Sequence, residues 1–255
     1  MRYLGGKSKI AKKITAAILA HTDRRGLLIE PFCGGGAMTA ALAPHFDRVD
    51  ASDIVEDLIL MWQALQDGWQ PPRVVTEAEH ATIKHAPPSA LRAFIRFGCS
   101  YGGVFSAGFA RGNGQNYADE SARALLRDVA LAAKHTSFRV MDYKKTAISA
   151  GCVVYADPPY AGKSGYQNAF DNDEFWRIAD GWAASGADVF VSEYAAPSGW
   201  PCVWGREMPL WMRGGKSVAT KVVERLFFKP GVRGSLSASL TRLGDAVERL
   251  TAALT

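Results

Sequence analysis

The chain has 255 residues, of which 48% are hydrophobic, and a formal net charge of +5. This length and composition allow one large domain with a packed core and exclude a globally disordered chain. No apolar run reaches the ~18 residues that a membrane span needs, and no N-terminal signal pattern is visible. We therefore expect a cytoplasmic protein with no membrane partner.

The positive charge is concentrated in the middle of the chain. Residues 61–150 carry 11 Lys or Arg and 7 Asp or Glu, whereas residues 151–255 carry 11 of each kind. Phosphate neutralisation supplies the sequence-independent part of nucleic-acid affinity. This segment favours a polyanionic partner, with a solvated basic face as the alternative. The four cysteines are scattered and form no CxxC pair, so we expect reduced thiols and no metal site.

The first 68 residues alternate between predicted helices and strands. Apolar spacing, glycines and prolines predict these elements in chain order: helix 7–21, strand 27–32, helix 37–43, strand 48–53 and helix 54–68. A strand, a glycine-rich loop, a helix and a second strand in this order are typical of a parallel α/β sheet.

The periodicity weakens at residue 69, and we interpret residues 69–135 as an inserted, partly helical subdomain. Alternation then resumes with predicted strands at 137–143, 152–160 and 187–194 and a helix at 174–185. Residues 201–208 and 221–228 have the pattern of a closing hairpin around an exposed loop, 211–219.

The stretch EPFCGGGAM places a glycine-rich turn between a strand and a helix, where a ligand can approach the backbone. The dinucleotide fingerprint is incomplete, because Thr39 occupies its third glycine position. Asp53 ends the next strand, 17 residues after Gly36, where it can accept hydrogen bonds from ribose hydroxyls. The turn thus suits a nucleoside-bearing cofactor without a pyrophosphate. A tight turn followed by a helix-capping aspartate is the structural alternative.

Four features occur in a fixed order: YLGGK (3–7), EPFCGGG (30–36), the basic insertion and DPPY (157–160). In this order the chain resembles the Dam-type adenine-N6 DNA methyltransferases (D12 class, alpha group) over roughly residues 2–195. The resemblance implies a class I S-adenosylmethionine-dependent methyltransferase fold: Rossmann-like, with a mostly parallel sheet, a closing antiparallel hairpin and an inserted target-recognition subdomain. It also implies site-specific methyl transfer from S-adenosylmethionine to the N6 amine of a flipped-out adenine in double-stranded DNA.

The expected chemistry centres on DPPY. The N6 lone pair is delocalised into the adenine ring, so the amine is a poor nucleophile. Asp157 and a backbone carbonyl of the rigid Pro158–Pro159 step can accept the two N6 protons and draw the nitrogen toward a tetrahedral form. Tyr160 is expected to stack on the flipped base. This chemistry needs neither a metal nor a covalent enzyme intermediate.

The resemblance also implies a set of cofactor-binding residues, of which Asp157 is one. Tyr3 and Lys7 are expected at the methionine end of the cofactor, with Lys7 also reaching DNA, and Asp53 at the ribose. Asp142 matches the acid that bonds the adenine amine of the cofactor, with Tyr143 beside it. The resemblance also implies that Phe32, Gly34 and Gly36, in the glycine-rich loop, bind the cofactor.

The insertion departs from the family pattern, because SYGGVFSAGFARG (100–112) lacks the family's early arginine, which argues against a GATC target. Arg96 and Arg111 are predicted to contact phosphates or bases. Tyr101 and Phe105 are predicted to enter the gap left by the flipped base, or alternatively to belong to the core of the subdomain.

These features divide the chain into a catalytic domain (1–68 and 136–230), an inserted DNA target-recognition subdomain (69–135) and a C-terminal amphipathic helix (231–255). Leucines at spacings of three and four predict that this helix packs on the catalytic domain or forms a dimer contact, giving a monomer or a weak homodimer. An RNA or protein amino-methyltransferase with the same D-P-P-Y chemistry is the alternative function, and a non-catalytic DNA-binding module is a second. The sequence leaves open whether the enzyme is solitary, phage-borne or part of a restriction-modification pair.

Overall fold

A computed structural model describes residues 1–112, 114–132, 134–160, 170–210 and 220–233. Within these ranges seven strands form one sheet in the order β3-β2-β1-β4-β5-β7-β6. The strands are β1 Leu27–Glu30, β2 Arg48–Asp53, β3 Thr136–Val140, β4 Val153–Ala156, β5 Asp188–Glu193, β6 Cys202–Leu210 and β7 Thr220–Lys229.

The sheet is parallel from β3 through β5, and β7 then runs antiparallel between β5 and β6. This confirms the predicted α/β fold with a mostly parallel sheet and a closing antiparallel hairpin. The predicted strand 48–53 has the bounds of β2. The predicted strand 27–32 ends at Glu30, two residues early, because Pro31 lacks the N–H that a ladder requires.

The helices of the described residues cover both faces of the sheet. They are α1 Ala11–His21, α2 Ala37–Leu42, α3 Glu56–Gln66, α4 Glu77–Ile83, α5 Ala90–Ala93, α6 Tyr117–Ala132 and α7 Asn172–Ala184. Alternate residues of β4 enter two separate cores, as the period of two in a strand requires. Val153 and Tyr155 belong to the core that contains α1, α2 and α3, whereas Val154 and Ala156 belong to the core that contains α7.

The predicted insertion shares a core with the sheet. Phe94, Ile95 and Leu125 are buried in the same cluster as residues of α1 and α3. A π-helical turn, Phe94–Gly98, and a short 3₁₀ turn, Tyr101–Gly103, lie between α5 and α6. The insertion therefore packs on the rest of the protein through apolar side chains, and its division from the catalytic domain remains a prediction.

The predicted loop 211–219 and residues 234–255 of the predicted C-terminal helix lie outside the described residues. Among the helices that the structure does describe, none is both long enough and apolar enough to span a membrane.

Candidate active site

Three acids lie at one edge of the sheet. Glu30 ends β1, Asp53 ends β2, and Asp157 directly follows β4. Because these strands are parallel and β1 lies between the other two, their carboxyl ends meet at the same edge. Ligands of open α/β sheets bind at this edge, which agrees with the predicted position of the site.

The glycine-rich loop follows β1 and is closely packed. Gly34 and Gly36 have φ angles of 47° and 68°, in the region that side chains other than glycine rarely adopt. A Cβ on Gly36 would lie 2.0 Å from the ring of Trp62, and one on Gly34 would lie 2.8 Å from the ring of Tyr3. Both the backbone conformation and the space therefore require glycine at these two predicted positions.

Asp53 is fixed against this loop. One carboxylate oxygen accepts the Gly34 N–H and the other accepts the Val55 N–H, each at 2.9 Å. Burial raises the pKa of Asp53, although these backbone bonds oppose the shift. The adjoining Ile54 keeps 61% of its surface exposed, so an acid and an accessible apolar side chain stand together at the end of β2.

Asp157 is paired with Lys7, the last residue of YLGGK. The Lys7 ammonium donates to both carboxylate oxygens of Asp157 at 2.7 Å and to the Gly5 carbonyl at 3.1 Å. Lys7 is 5% exposed, and the Asp157 side chain is 19% exposed. The structure thus brings together two predicted site residues that are 150 positions apart. Pro158 is buried behind Asp157, and Pro159 is half-buried.

A second carboxylate, Glu224 on β7, completes this cluster. It lies 3.6 Å from the Lys7 ammonium, and it accepts a hydrogen bond from the Tyr160 hydroxyl. The Lys7 ammonium is 4.8 Å from the centroid of the Tyr160 ring, and that ring meets Tyr194 edge-on at 4.5 Å. Sequence analysis missed Glu224 and Tyr194, because nothing in KVVERLFF distinguishes this acid from the others on the hairpin.

The charges of the cluster influence one another. Burial alone would lower the pKa of Lys7, but the carboxylates of Asp157 and Glu224 outweigh it and the net shift is upward. Burial raises the pKa of Asp157; Lys7 opposes that shift and Glu224 adds to it. Burial raises the pKa of Glu30 to about 8, even though the Thr39 hydroxyl donates to its carboxylate at 2.6 Å.

The predicted residues Phe32, Asp142 and Tyr143 lie on one side of the loop. The rings of Phe32 and Tyr143 are 5.0 Å apart, and both contact Phe170 and Phe175. The Asp142 carboxylate caps the following turn by accepting the Lys144 N–H at 3.0 Å. These rings form a largely apolar wall beside the loop, with the half-buried Asp142 next to it.

Tyr3 connects the loop to the insertion. Its ring lies against Gly34 and Gly35 and is 5.3 Å from the ring of Phe97. The next residue, Leu4, donates its N–H to the Gly103 carbonyl at 3.2 Å. A Cβ on Gly103 would lie 2.7 Å from the Tyr3 backbone nitrogen, so the turn after Ser100 packs directly on the N-terminal motif.

The four predicted DNA contacts within the insertion have different surroundings. Tyr101 is 63% exposed, and Arg111 is exposed and paired with Glu77. Arg96 is 3% exposed and donates to the carbonyls of residues 80, 105 and 107. The half-buried Phe105 packs between the guanidinium groups of residues 92 and 96. Arg96 and Phe105 therefore belong to the interior of the insertion, whereas Tyr101 and Arg111 are accessible.

Within the part of the chain that the structure describes, no group of three or more His, Cys, Asp or Glu side chains could hold a metal ion.

Comparison with protein families gives a match between residues 3–91 and the D12 class N6 adenine-specific DNA methyltransferase family. This match agrees with the family resemblance that the motifs predicted and supports methyl transfer as the class of reaction. The matched range includes Lys7, the glycine loop and Asp53, but not DPPY. No curated protein matches the chain significantly.

Solved structures with a similar arrangement include three methyltransferases. The N-methyltransferase NodS from Bradyrhizobium japonicum is 11% identical, with a TM-score of 0.41, over 87% of this chain and 95% of that one. The magnesium protoporphyrin IX methyltransferase ChlM from Synechocystis, solved with bound SAH, is 10% identical, with a TM-score of 0.41, over 86% of this chain and 82% of that one. A tRNA methyltransferase from Aquifex aeolicus is 11% identical, with a TM-score of 0.40, over 88% of this chain and 70% of that one. Similarity at this level does not identify a substrate.

Proposed function

We propose that this protein transfers a methyl group from S-adenosylmethionine to the N6 amine of adenine in double-stranded DNA. The observation that carries the proposal is the position of Asp157, a carboxylate held by a buried lysine at the ligand-binding edge of the sheet, directly before two prolines and a tyrosine. The family match supports the choice of N6-adenine as the methylated group.

The residues around the glycine loop fit S-adenosylmethionine. Gly34 and Gly36 let the loop pack tightly on the rings of Tyr3 and Trp62, which fixes the shape of the turn between β1 and α2. Each Asp53 oxygen accepts one backbone N–H and retains a lone pair for a ribose hydroxyl. The exposed Ile54 side chain offers an apolar face to a nucleobase. When bound, this cofactor supplies a methyl group on a positively charged sulfur, which leaves as a neutral thioether.

Asp157 would orient the amine. Its carboxylate accepts an N6 proton, while a carbonyl of the Pro158–Pro159 step accepts the other, so that the nitrogen lone pair points at the methyl carbon. Asp157 and the prolyl carbonyl would hold the amine so that it can accept the methyl group that the cofactor supplies. The surplus N6 proton passes to the Asp157 carboxylate and then to solvent. Lys7 keeps its proton, and before the amine binds its ammonium holds the carboxylate in place.

The accessible side chains of the insertion suit a DNA duplex. An adenine inside the duplex cannot reach Asp157 unless it is flipped out of the stack. Tyr101, on a turn anchored to the N-terminal motif, is exposed and can occupy the gap that the base leaves. Arg111, Arg123 and Arg73 carry charge on exposed surface of the same subdomain, where they can approach phosphates.

The test is transfer of a tritiated methyl group from labelled cofactor to unmethylated duplex DNA, followed by analysis of the nucleosides. We expect label in N6-methyladenine and a loss of about 10²–10³-fold or more in Asp157→Ala, as for other electrostatic transition-state contacts. Asp47→Ala is the matched control, because Asp47 is exposed and precedes β2 at the opposite edge of the sheet. Label in RNA or protein but not in DNA would favour the alternative amino-methyltransferase. Near wild-type turnover in Asp157→Ala would refute the mechanism.

A further inference from the structure

Glu224 stands out among the buried groups because no sequence motif accounts for it. It is 7% exposed, on a strand that is paired on both sides. It faces the ammonium of Lys7 and the hydroxyl of Tyr160, both of which belong to the site described above.

We propose that Glu224 is a positioning residue for methyl transfer, which takes over the Lys7 ammonium when the target amine engages the Asp157 carboxylate. The inference rests on the proposed function, since it concerns the same site. It assigns a role to a strand that lies outside the matched family range and outside the sequence motifs.

The first argument is competition for Asp157. Lys7 donates to both carboxylate oxygens at 2.7 Å, so an incoming amine must share these oxygens with the ammonium, which weakens the ion pair. An ammonium that is 5% exposed needs a charged partner, because an unpaired buried charge costs several kcal/mol, and its other acceptor, the Gly5 carbonyl, is neutral. Glu224 is 3.6 Å from the same nitrogen, so a shift of less than about 1 Å brings it within hydrogen-bond distance.

The second argument is charge. Lys7 and Asp157 alone form a neutral pair, whereas Glu224 gives the cluster a net charge of −1. A positively charged methyl donor and an amine that gains positive charge during attack both favour a negative environment. Glu224 therefore provides the charge that Lys7 would otherwise cancel.

The third argument is rigidity. Glu224 is opposite Arg206 in the register of β6 with β7, and the next residue is opposite Glu193 of β5. The Tyr160 hydroxyl donates to Glu224, and the Tyr160 ring packs against Tyr194. A carboxylate on a strand that is paired on both sides can thus hold both Lys7 and the ring expected to stack on the target base.

The variant Glu224→Gln removes the charge and keeps the shape. We expect kcat to fall about 10- to 100-fold, less than for a residue in direct contact with the reacting atoms. Affinity for the cofactor should change less than about twofold, because Glu224 does not line the glycine loop. Glu207→Gln, an exposed acid on the neighbouring strand β6, is the matched control and should keep wild-type kinetics.

The pH profile separates this role from a purely structural one. Glu224 raises the pKa of both Asp157 and Lys7, so both limbs of the kcat profile should move to lower pH in Glu224→Gln. The other titratable groups that influence Asp157 are Tyr160, Tyr155 and Glu30. Glu224 also raises the pKa of Tyr155 and Tyr160, so these two phenols should shift in the same direction as Asp157 and Lys7 in the variant. A fall in rate without movement of either limb would overturn the proposal.

A measurement without substrate separates this inference from the proposed function. Titration of the Lys7 amine, followed by NMR of labelled lysine side chains, should show a lower pKa in Glu224→Gln than in the wild type. Tyr160→Phe, which leaves Glu224 without the hydroxyl donor but keeps the ring, is a second variant that should alter the Lys7 titration if Glu224 is misplaced. A Lys7 titration unchanged in both variants refutes the role of Glu224, whereas absence of DNA methylation by the wild type refutes only the proposed function.

Discussion

The substitution Glu30→Gln tests the electrostatics of the site directly. Glu30 is 1% exposed and ends the central strand β1, near Asp53 and Asp157. Burial raises its pKa from 4.5 to about 8, because an ionised carboxylate is poorly solvated there. The glutamine keeps the shape of the side chain and an oxygen that can accept the Thr39 hydroxyl, but it cannot ionise.

The sign of the effect follows from proton linkage. The folded protein holds the Glu30 proton more tightly than the unfolded chain does, so the contribution to stability is complete below pH 4.5 and is lost as the pH rises through about 8. At about 1.4 kcal/mol per pH unit, the difference between 4.5 and about 8 gives an upper limit of about 5 kcal/mol. The variant should lack this loss. The free energy of unfolding of the variant minus that of the wild type should therefore be larger at pH 9 than at pH 5.

The assay is urea unfolding of both proteins at intervals between pH 5 and pH 9, at constant ionic strength. Subtracting one curve from the other removes the contributions of the titrating groups that do not interact with Glu30; Asp53 and Asp157 do interact with it. A difference in unfolding free energy that changes by several kcal/mol across this range supports a buried, protonated Glu30. A difference that is constant with pH would refute it and would show that Glu30 is ionised throughout.

Three further predictions concern the insertion. Tyr101→Ala should lower methylation of a matched duplex about tenfold, and a mismatch at the target adenine should restore it, because that base is already partly unstacked; an equal loss on both duplexes would contradict insertion of the ring. Arg111→Ala should reduce the slope of DNA affinity against salt by about one phosphate contact. Arg96→Ala should instead lower the melting temperature, because the buried guanidinium of Arg96 donates to three carbonyls. If Arg96→Ala keeps the wild-type melting temperature and reduces the salt slope, Arg96 contacts DNA and does not stabilise the interior of the insertion.

The fold was predictable where local pattern and tertiary contact agree. Strand β2 combines an alternating pattern with flanking turns, and the structure gives it the predicted bounds. The region between α5 and α6 was less predictable. The turn Phe94–Gly98 is π-helical and fully buried, and its conformation depends on contacts with distant residues, such as the hydroxyl of Ser121 on the Gly98 carbonyl. No local periodicity encodes such contacts.

The site was predictable to the extent that its residues lie in motifs with fixed spacing. Gly34, Gly36 and Asp53 were identified because a turn needs positive φ and an acid must follow the next strand. The sequence predicts that Arg96 contacts phosphates or bases, since it shows the charge of this residue but not the carbonyls that surround it. Glu224 was missed because its importance arises from β7 lying beside β5, a position set by the topology of the whole sheet.

The pairing of Lys7 with Asp157 changes how the DPPY motif is understood. The motif alone predicts a carboxylate that is free to accept hydrogen bonds from an amine. In the structure that carboxylate is already paired with a buried ammonium, so in the proposed mechanism the amine shares the carboxylate oxygens with Lys7, and the ammonium shifts as the new hydrogen bonds form. The energy of that displacement depends on the next acceptor that the ammonium can reach, and Glu224 is the nearest carboxylate to it after Asp157. In the proposed mechanism, reactivity at Asp157 therefore depends on three segments distant in sequence, namely the N-terminal motif, DPPY and the antiparallel hairpin.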